Sequence, residues 1–407
     1  MRAKPWMSSA AFNKTGGQEP QASACAAPRG RKPAALCISS TILGMALACG
    51  LPSCAQMPTW SSLVTPENSK EKAQERWSRV RSCLKRQLAA DSFAAGKLDK
   101  AQEHLDEAIA LDPASVDNYI LQAKLLLERG EMAAAAAALE KARANGADNA
   151  AVNYLSGVIA ERYGQFPDAL YQYQQASTRE PTNAHYVAAV AETLVALNRP
   201  AEALALVREK WTDFEQNATL RSIAGGIYMM LGQYEEAADA YREAARIATD
   251  DVLVQFQLGD ALARAARYEE ARTILVLARA KAETVPPYAL LALGRCYLAL
   301  NHNEEAQEAF QQATEAAPDD PRGWSWLARA ALGCGDLIAA RRAAARTAEL
   351  DPGNSDNHML LGYVCWRQQD LSAAATALDR ILQDAPDDPM ARYLRDRVEA
   401  TGRASSP

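Results

Sequence analysis

Small and apolar residues return along this chain with a period much longer than one helical turn. Alanines stand at 101, 135, 169, 203, 237, 271, 306, 340 and 374, spaced by 34 residues with a single step of 35. Twelve residues before each lies another small residue: Ala89, Ala123, Gly157, Ala191, Gly225, Gly259, Gly294, Ala328 and Gly362. Four residues after each, mostly larger apolar side chains follow: Leu105, Leu139, Tyr173, Val207, Tyr241, Leu275, Phe310, Ala344 and Leu378. Glycine or asparagine falls between the small residue and the alanine at Gly130, Gly164, Asn198, Gly232, Asn301 and Gly335, where a helix end needs a residue tolerant of positive φ. Pro167 and Pro200 follow at helix starts, where the missing N–H is harmless. Prolines at 113, 181, 318, 352 and 386 close five periods. The pattern predicts two helices per period. The first carries the small residue where the second crosses closely, and the second returns its alanine to the same contact.

This pattern resembles the tetratricopeptide repeat family, whose unit is two helices in 34 residues. The clearest copies are "LGQYEEAADAYREA" (231–244) and "LNHNEEAQEAFQQA" (300–313), and the likeness covers about 82–388 as nine units. It implies an all-α fold, a right-handed α-solenoid of stacked antiparallel helix pairs, in which each unit buries its apolar face only against its neighbours. The expected organisation is a leader over 1–55, a linker over 56–76, one solenoid over 77–388, and a C-terminal capping helix and tail over 389–407. Unit four departs most, with Lys210 in place of a small residue late in its second helix and Trp211 after it. The extra residue between units six and seven falls near Val285-Pro286-Pro287.

Composition agrees with close-packed helices: 49% of residues are hydrophobic, only 7% aromatic, and alanine, the best helix former, is abundant. The net charge of −6 is unevenly placed. Residues 1–60 hold six Lys/Arg and one acid, which leaves the rest at −11 and argues against nucleic acid as a general partner.

Within that basic leader, Arg29, Arg31 and Lys32 precede an apolar run from Ala34 to Ala48. The run is short for a membrane span and fits a secretory signal segment followed by small residues. Three exits fit. Ser53-Cys54-Ala55 gives a small-x-small cleavage site, while Cys49 and Cys54 each end a stretch that resembles a bacterial lipoprotein box and are the candidate lipidation sites. The long basic lead-in also resembles an organelle transit peptide. Export to the periplasm or cell envelope is expected, with organelle import or a cytosolic location as alternatives. Residues 61–76 are polar and without periodicity until Trp77.

Motifs that carry chemistry are lacking. The eight cysteines form no CxxC pair, and Cys334 with Cys365 could bond only in an oxidising compartment. The four histidines, 104, 185, 302 and 358, have no second ligand at metal spacing, and there is no HExxH, GxSxG or glycine-rich phosphate loop. The acid pairs Glu235-Glu236, Glu269-Glu270 and Glu304-Glu305 recur at starts of second helices, where they complement the helix dipole. No enzyme activity, cofactor or metal is therefore expected.

Function is expected on the surface that stacking creates. In the family, first helices line a concave groove that commonly holds an extended peptide or a partner helix. Positions 2, 5, 6, 9, 12 and 13 of each unit give its lining. Units seven to nine place Tyr288, Arg295, Arg322, Trp326, Arg329, Tyr363, Trp366 and Arg367 there, residue types enriched at binding hot spots and suited to an acidic or aromatic peptide. The Lys and Asn, four apart, with which some members grip a C-terminal carboxylate are replaced by Arg86 and Ala90 in unit one and by Ile120 and Lys124 in unit two. The expected role is an interaction scaffold of an envelope assembly (secretion, pilus or polysaccharide export), with an accessory or client-presenting subunit of an enzyme complex as the alternative. Oligomeric state is left open.

Overall fold

The computed structural model describes residues 66–146 and 149–404. The leader, with Cys49 and Cys54, and the linker up to residue 65 lie outside the described residues. Among the described residues there are nineteen helices and no strand. The stretch read as one solenoid divides into two compact units, one ending at Pro181 and one beginning at Thr182. The first holds α1 (Pro66–Ala94), α2 (Leu98–Leu111), α3 (Val116–Glu128), α4 (Met132–Ala144), α5 (Ala150–Arg162) and α6 (Phe166–Arg179). The second holds α7 (Ala184–Ala196), α8 (Pro200–Glu209), α9 (Ala218–Met230), α10 (Tyr234–Ile247), α11 (Val252–Arg264), α12 (Tyr268–Lys281), α13 (Pro287–Ala299), α14 (Asn303–Ala316), α15 (Pro321–Cys334), α16 (Leu337–Leu350), α17 (Ser355–Arg367), α18 (Leu371–Asp384) and α19 (Pro389–Ala404). Odd-numbered helices are the first of each repeat and even-numbered ones the second. Helix α1 begins at Pro66, ahead of the Trp77 at which the sequence pattern starts, so residues 66–76 of the expected linker are helical.

The periodic residues form the core. All nine periodic alanines are fully buried. Where the small residue of a first helix is glycine, the side chain four residues beyond the alanine seats on it. A Cβ built on Gly157 would lie 2.6 Å from the Tyr173 ring, on Gly225 2.8 Å from Tyr241, on Gly259 2.4 Å from Leu275, and on Gly294 2.5 Å from Phe310. The glycines let a bulky side chain of the second helix seat directly on the backbone of the first.

Turns and caps repeat with the same period. Gly130, Gly164, Gly232 and Gly335 sit at φ between 73° and 79°, with Asn198 at 60° and Asn301 at 64°. Ala266 (62°) and Gln369 (65°) occupy the same turn in two repeats, although both carry a Cβ. A column of side-chain caps opens the first helices. Asn149, Asn183, Asn217, Asp251, Asp320 and Asn354 each accept a hydrogen bond from an N–H of the first turn, which satisfies one otherwise orphaned donor. Pro286 interrupts the column where the extra residue falls.

The irregular fourth repeat has a physical cause. Helix α8 stops at Glu209, and the chain turns through 210–216 before α9. Arg221 of α9 is 5% exposed, and its guanidinium lies 4.2 Å from the centre of the Trp211 ring. The same guanidinium donates to the carbonyls of Trp211 (3.3 Å) and Glu215 (3.4 Å). It thus fastens the segment that replaces the last turn of a second helix. At the C-terminal end, α19 lays Ala391, Leu394 and Val398 against Cys365, Leu378 and Ile381.

Candidate functional site

First helices at the C-terminal end of the second unit enclose an open cavity of about 520 Å3. Its walls come from α15 (Arg329), α17 (Asp356, Met359, Leu360, Tyr363, Trp366) and α19 (Met390, Tyr393, Leu394, Arg397). The floor is apolar and aromatic. The Tyr363 and Trp366 rings meet at 5.9 Å, tilted by 52°. Trp366 Nε1 donates to Thr401 Oγ1 at 3.1 Å, which ties the indole to α19 and fixes its plane. Met390 and Tyr393 are each 59% exposed at the rim.

The charges around the cavity are chiefly two arginines and Asp356. Arg329 is exposed, with its guanidinium 5.0 Å from the centre of the Trp326 ring. Trp326 in turn stacks on the buried Phe310 at 5.8 Å and 13° between planes. The indole is thus both packing and platform: it stacks on the core and carries Arg329. Arg397 is exposed on α19. Neither arginine makes an ion pair among the described residues. Nearby arginines do: Arg341 with Asp370 (2.8 Å), Arg392 with Asp387 (2.5 Å) and Arg395 with Asp379 (2.8 Å). Unpaired guanidiniums above an apolar floor can take a carboxylate in bidentate fashion beside a bulky apolar group.

The eight residues proposed from the repeat register separate here. Arg329, Tyr363 and Trp366 line the cavity, and Trp326 lies beneath Arg329. Arg367 adjoins it, donating to the Tyr363 hydroxyl at 3.2 Å and lying 5.9 Å from the centre of that ring. The other three are engaged elsewhere. Arg322 donates to Asp320, the cap of its own helix, at 2.7 and 3.0 Å, and that bond holds its guanidinium above its ordinary pKa. Arg295 stands 3.6 Å from Asp260, an ion pair too long for a hydrogen bond. Asp260 is also bonded to Arg264 at 3.1 Å. Tyr288 packs against the core formed by α10 to α13, and burial raises its pKa, with Asp260 adding to the effect.

Asp356, Met359, Leu360, Met390, Tyr393, Leu394 and Arg397 were missed. The signal was present: 390, 393, 394 and 397 lie one period beyond 356, 359, 360 and 363, so α19 continues the first-helix register past the last full repeat.

Elsewhere the polar clusters are structural. Glu235 pairs with Arg267 at 3.4 Å and Glu270 with Arg242 at 3.1 Å, so two acids at the starts of second helices tie one repeat to the next. His302 Nδ1 and Glu305 Oε1 meet at 3.2 Å. Glu305 is held below its ordinary pKa first by its own backbone N–H and then by His302. Among the described residues no group of three or more His, Cys, Asp or Glu side chains could hold a metal ion. Cys296, Cys334 and Cys365 are free thiols, so Cys334 and Cys365 are not paired.

Stacked helix hairpins with a ligand-sized hollow between successive first helices define an α-helical repeat protein that presents a surface to partners. Family models of the tetratricopeptide repeat match residues 92–159 and 285–330, 134–279, and 327–389. The chain belongs to the tetratricopeptide repeat family. A "TPR repeat-containing protein" of Treponema pallidum (strain Nichols) is 24% identical over 318 residues, covering 72% of this chain and 36% of the relative. The chain therefore matches little more than a third of that relative's length. Among solved structures, that of the "APC/C hetero-tetramer Cut9-Hcn1" is 21% identical, with a TM-score of 0.50 over 74% of this chain and 59% of that one. The structure of "PilW, widely conserved type IV pilus biogenesis factor" is 18% identical, with a TM-score of 0.48 over 53% of this chain and 98% of that one. At these identities the first structural likeness speaks to the fold alone.

Proposed function

We propose that this protein is a non-enzymatic interaction scaffold whose C-terminal cavity binds a segment of a partner protein. The ligand segment carries a bulky apolar side chain next to a carboxylate. The observation that carries this reading is the pair Arg329 and Arg397, free of ion pairs above the floor of Met359, Leu360, Tyr363 and Trp366. The buried titratable groups of the core are structural. Burial pushes the Cys296 thiol up to about 12 and raises Tyr241, which keeps both protonated and unreactive.

The scaffold acts after export, at the cell envelope, where it holds components of a larger assembly such as a secretion, pilus or polysaccharide-export machine. The support is the basic leader, the apolar run 34–48, and Cys49 and Cys54 as places for a lipid anchor. Affinity capture from envelope extract tests the cavity. A partner held by the wild type should be lost with Arg329→Glu/Arg397→Glu while the circular-dichroism melt is unchanged. An unchanged set of partners would overturn the assignment. Sequencing the N-terminus of chain extracted with and without detergent tests the export reading, which an intact Met1 in the soluble cytosol would overturn.

A further inference from the structure

The outer face of α1 is apolar where the end of a repeat stack should be polar. Trp77 is 64% exposed, Val80 44%, Leu84 61% and Leu88 47%. Steps of three, four and four residues put all four on one narrow stripe of the helix. The opposite face carries Ser82 and Ala89, which are buried against the rest of the first unit. Leu84 and Leu88 hold the register positions that face the preceding repeat. Apolar counterparts in several repeats are covered: Val152 (1% exposed), Leu220 (0%) and Val254 (5%) for Leu84, and Ala224 (0%), Leu258 (5%) and Leu293 (2%) for Leu88. A terminal repeat normally carries a polar outer face to stay soluble. At the other end α19 exposes Arg392, Asp396 and Glu399, while its exposed Met390 and Tyr393 belong to the cavity rim. The stripe also runs beyond the repeat proper, to Val80 and Trp77, on a helix of 29 residues where the other first helices have 13 to 16.

Charge narrows what covers the stripe. Between Lys70 and Leu88 there are seven Lys/Arg and two Glu. Residues 89–407 hold 46 acids and 31 Lys/Arg, a net of −15. The basic residues of α1 thus stand against a strongly acidic remainder. Lys70, Arg76 and Arg81 flank the stripe, are exposed, and make no ion pair among the described residues. A second copy would bring these like charges together and is disfavoured. A basic helix with a narrow apolar face and a tryptophan suits the boundary of an anionic bilayer: the ring and leucines enter the acyl edge and the cations reach the headgroups. No helix among the described residues is long and apolar enough to cross a membrane, so the fit is to lying on the surface.

We propose that α1 is a docking surface for an anionic lipid bilayer, with Trp77, Val80, Leu84 and Leu88 inserted and Lys70, Arg76 and Arg81 at the headgroups. This goes beyond the cavity reading and needs neither lipidation nor cleavage of the leader. The test is hydroxyl-radical footprinting of the full chain, read residue by residue by mass spectrometry. The probes are vesicles of equal parts phosphatidylglycerol and phosphatidylcholine, and vesicles of phosphatidylcholine alone. Oxidation of Trp77, Leu84 and Leu88 should fall several-fold on the anionic vesicles only, that of Trp324 should not change, and added salt should restore reactivity. Arg76→Glu/Arg81→Glu, which keeps the stripe, and Trp77→Glu/Leu84→Glu, at exposed positions, should each abolish the protection of α1 whether or not the leader still binds. Three results would each overturn the proposal: full reactivity of Trp77 on anionic vesicles, equal protection by both vesicle types, or protection that grows with protein concentration without lipid. The last would reveal a second copy as the occupant.

Discussion

The ring of Phe310 lies against the bare Cα of Gly294, so close that a Cβ on that glycine would stand 2.5 Å from the ring. The same exchange recurs along the chain. Glycine faces an aromatic ring at Gly157/Tyr173 and Gly225/Tyr241, whereas the register pairs alanine with an aliphatic side chain at Ala89/Leu105, Ala123/Leu139 and Ala191/Val207. Gly259/Leu275 and Gly362/Leu378 show that glycine also accepts leucine.

A ring at this contact meets glycine and never alanine, which gives a testable coupling. Gly294→Ala should improve helix propensity by about 1 kcal/mol. Overpacking against Phe310 should cost about 1–3 kcal/mol and outweigh it. Phe310→Leu in the same chain should recover most of the loss, giving a coupling energy of favourable sign. Urea unfolding of the two single variants and the double variant measures it. A stabilising Gly294→Ala would contradict the packing argument.

Trp211 and Arg221 make a second prediction. Trp211→Ala removes the partly buried ring that covers the guanidinium of Arg221, a buried cation, and takes away its cation–π contact. Burial already holds this guanidinium below its ordinary pKa. Trp211 is only partly buried, so the expected loss is about 1–3 kcal/mol, below the range for a fully buried aromatic. Arg221→Met should cost less, because it withdraws the buried charge while keeping an apolar stem under the ring. The two melts, compared with that of the wild type, decide the order.

Much of this was legible in the sequence because one physical event recurs: a small residue admits a larger one from the neighbouring helix. The period fixed helix pairs, turns and the column of positions that faces the cavity. Three of the eight proposed residues nevertheless work elsewhere. Register tells which face a side chain occupies but not which acid it meets: Asp320 lies two residues from Arg322, and Asp260 one repeat before Arg295. The capping helix also continues the first-helix register at 390, 393, 394 and 397, which its charge hid: Asp396 stands where earlier repeats have a small residue. The exposed stripe of α1 was passed over because Leu84 and Leu88 fit the buried pattern. Only the structure shows that nothing among the described residues precedes them to provide the cover.

Ala266 adopts the left-handed turn conformation at φ 62° that glycine takes in neighbouring repeats. A residue with a Cβ pays about 1–2 kcal/mol there, against the smaller entropy that glycine loses on folding. Ala266→Gly should therefore stabilise the chain by about 0.5–1 kcal/mol, and Gln369→Gly likewise. The reciprocal change, Gly232→Ala at φ 73°, meets no atom within 4 Å and should lose about the same amount through the backbone alone. Thermal melts of the three variants check the signs. A destabilising Ala266→Gly would mean that the methyl group contributes packing that outweighs the strain.

Asp370 joins two structural tasks that depend on its charge. Its carboxylate accepts from the N–H of Ala373 at 3.0 Å, capping α18, and bridges to Arg341 of α16 at 2.8 Å. The backbone N–H first, and Arg341 second, hold its pKa below the ordinary 3.8. A carboxyl depressed in the folded state contributes stability that is fully present above its unfolded pKa. That contribution is lost as pH falls through the folded value. Asp370→Asn keeps the cap, since asparagine serves well at that position, but cannot titrate or pair with Arg341. The variant should melt below the wild type near neutrality, and the gap should narrow as pH falls below 3.8 and through the folded value. Melting temperatures of both chains across that range test it, and a gap that stays constant in acid would show that the charge of Asp370 does not stabilise the fold.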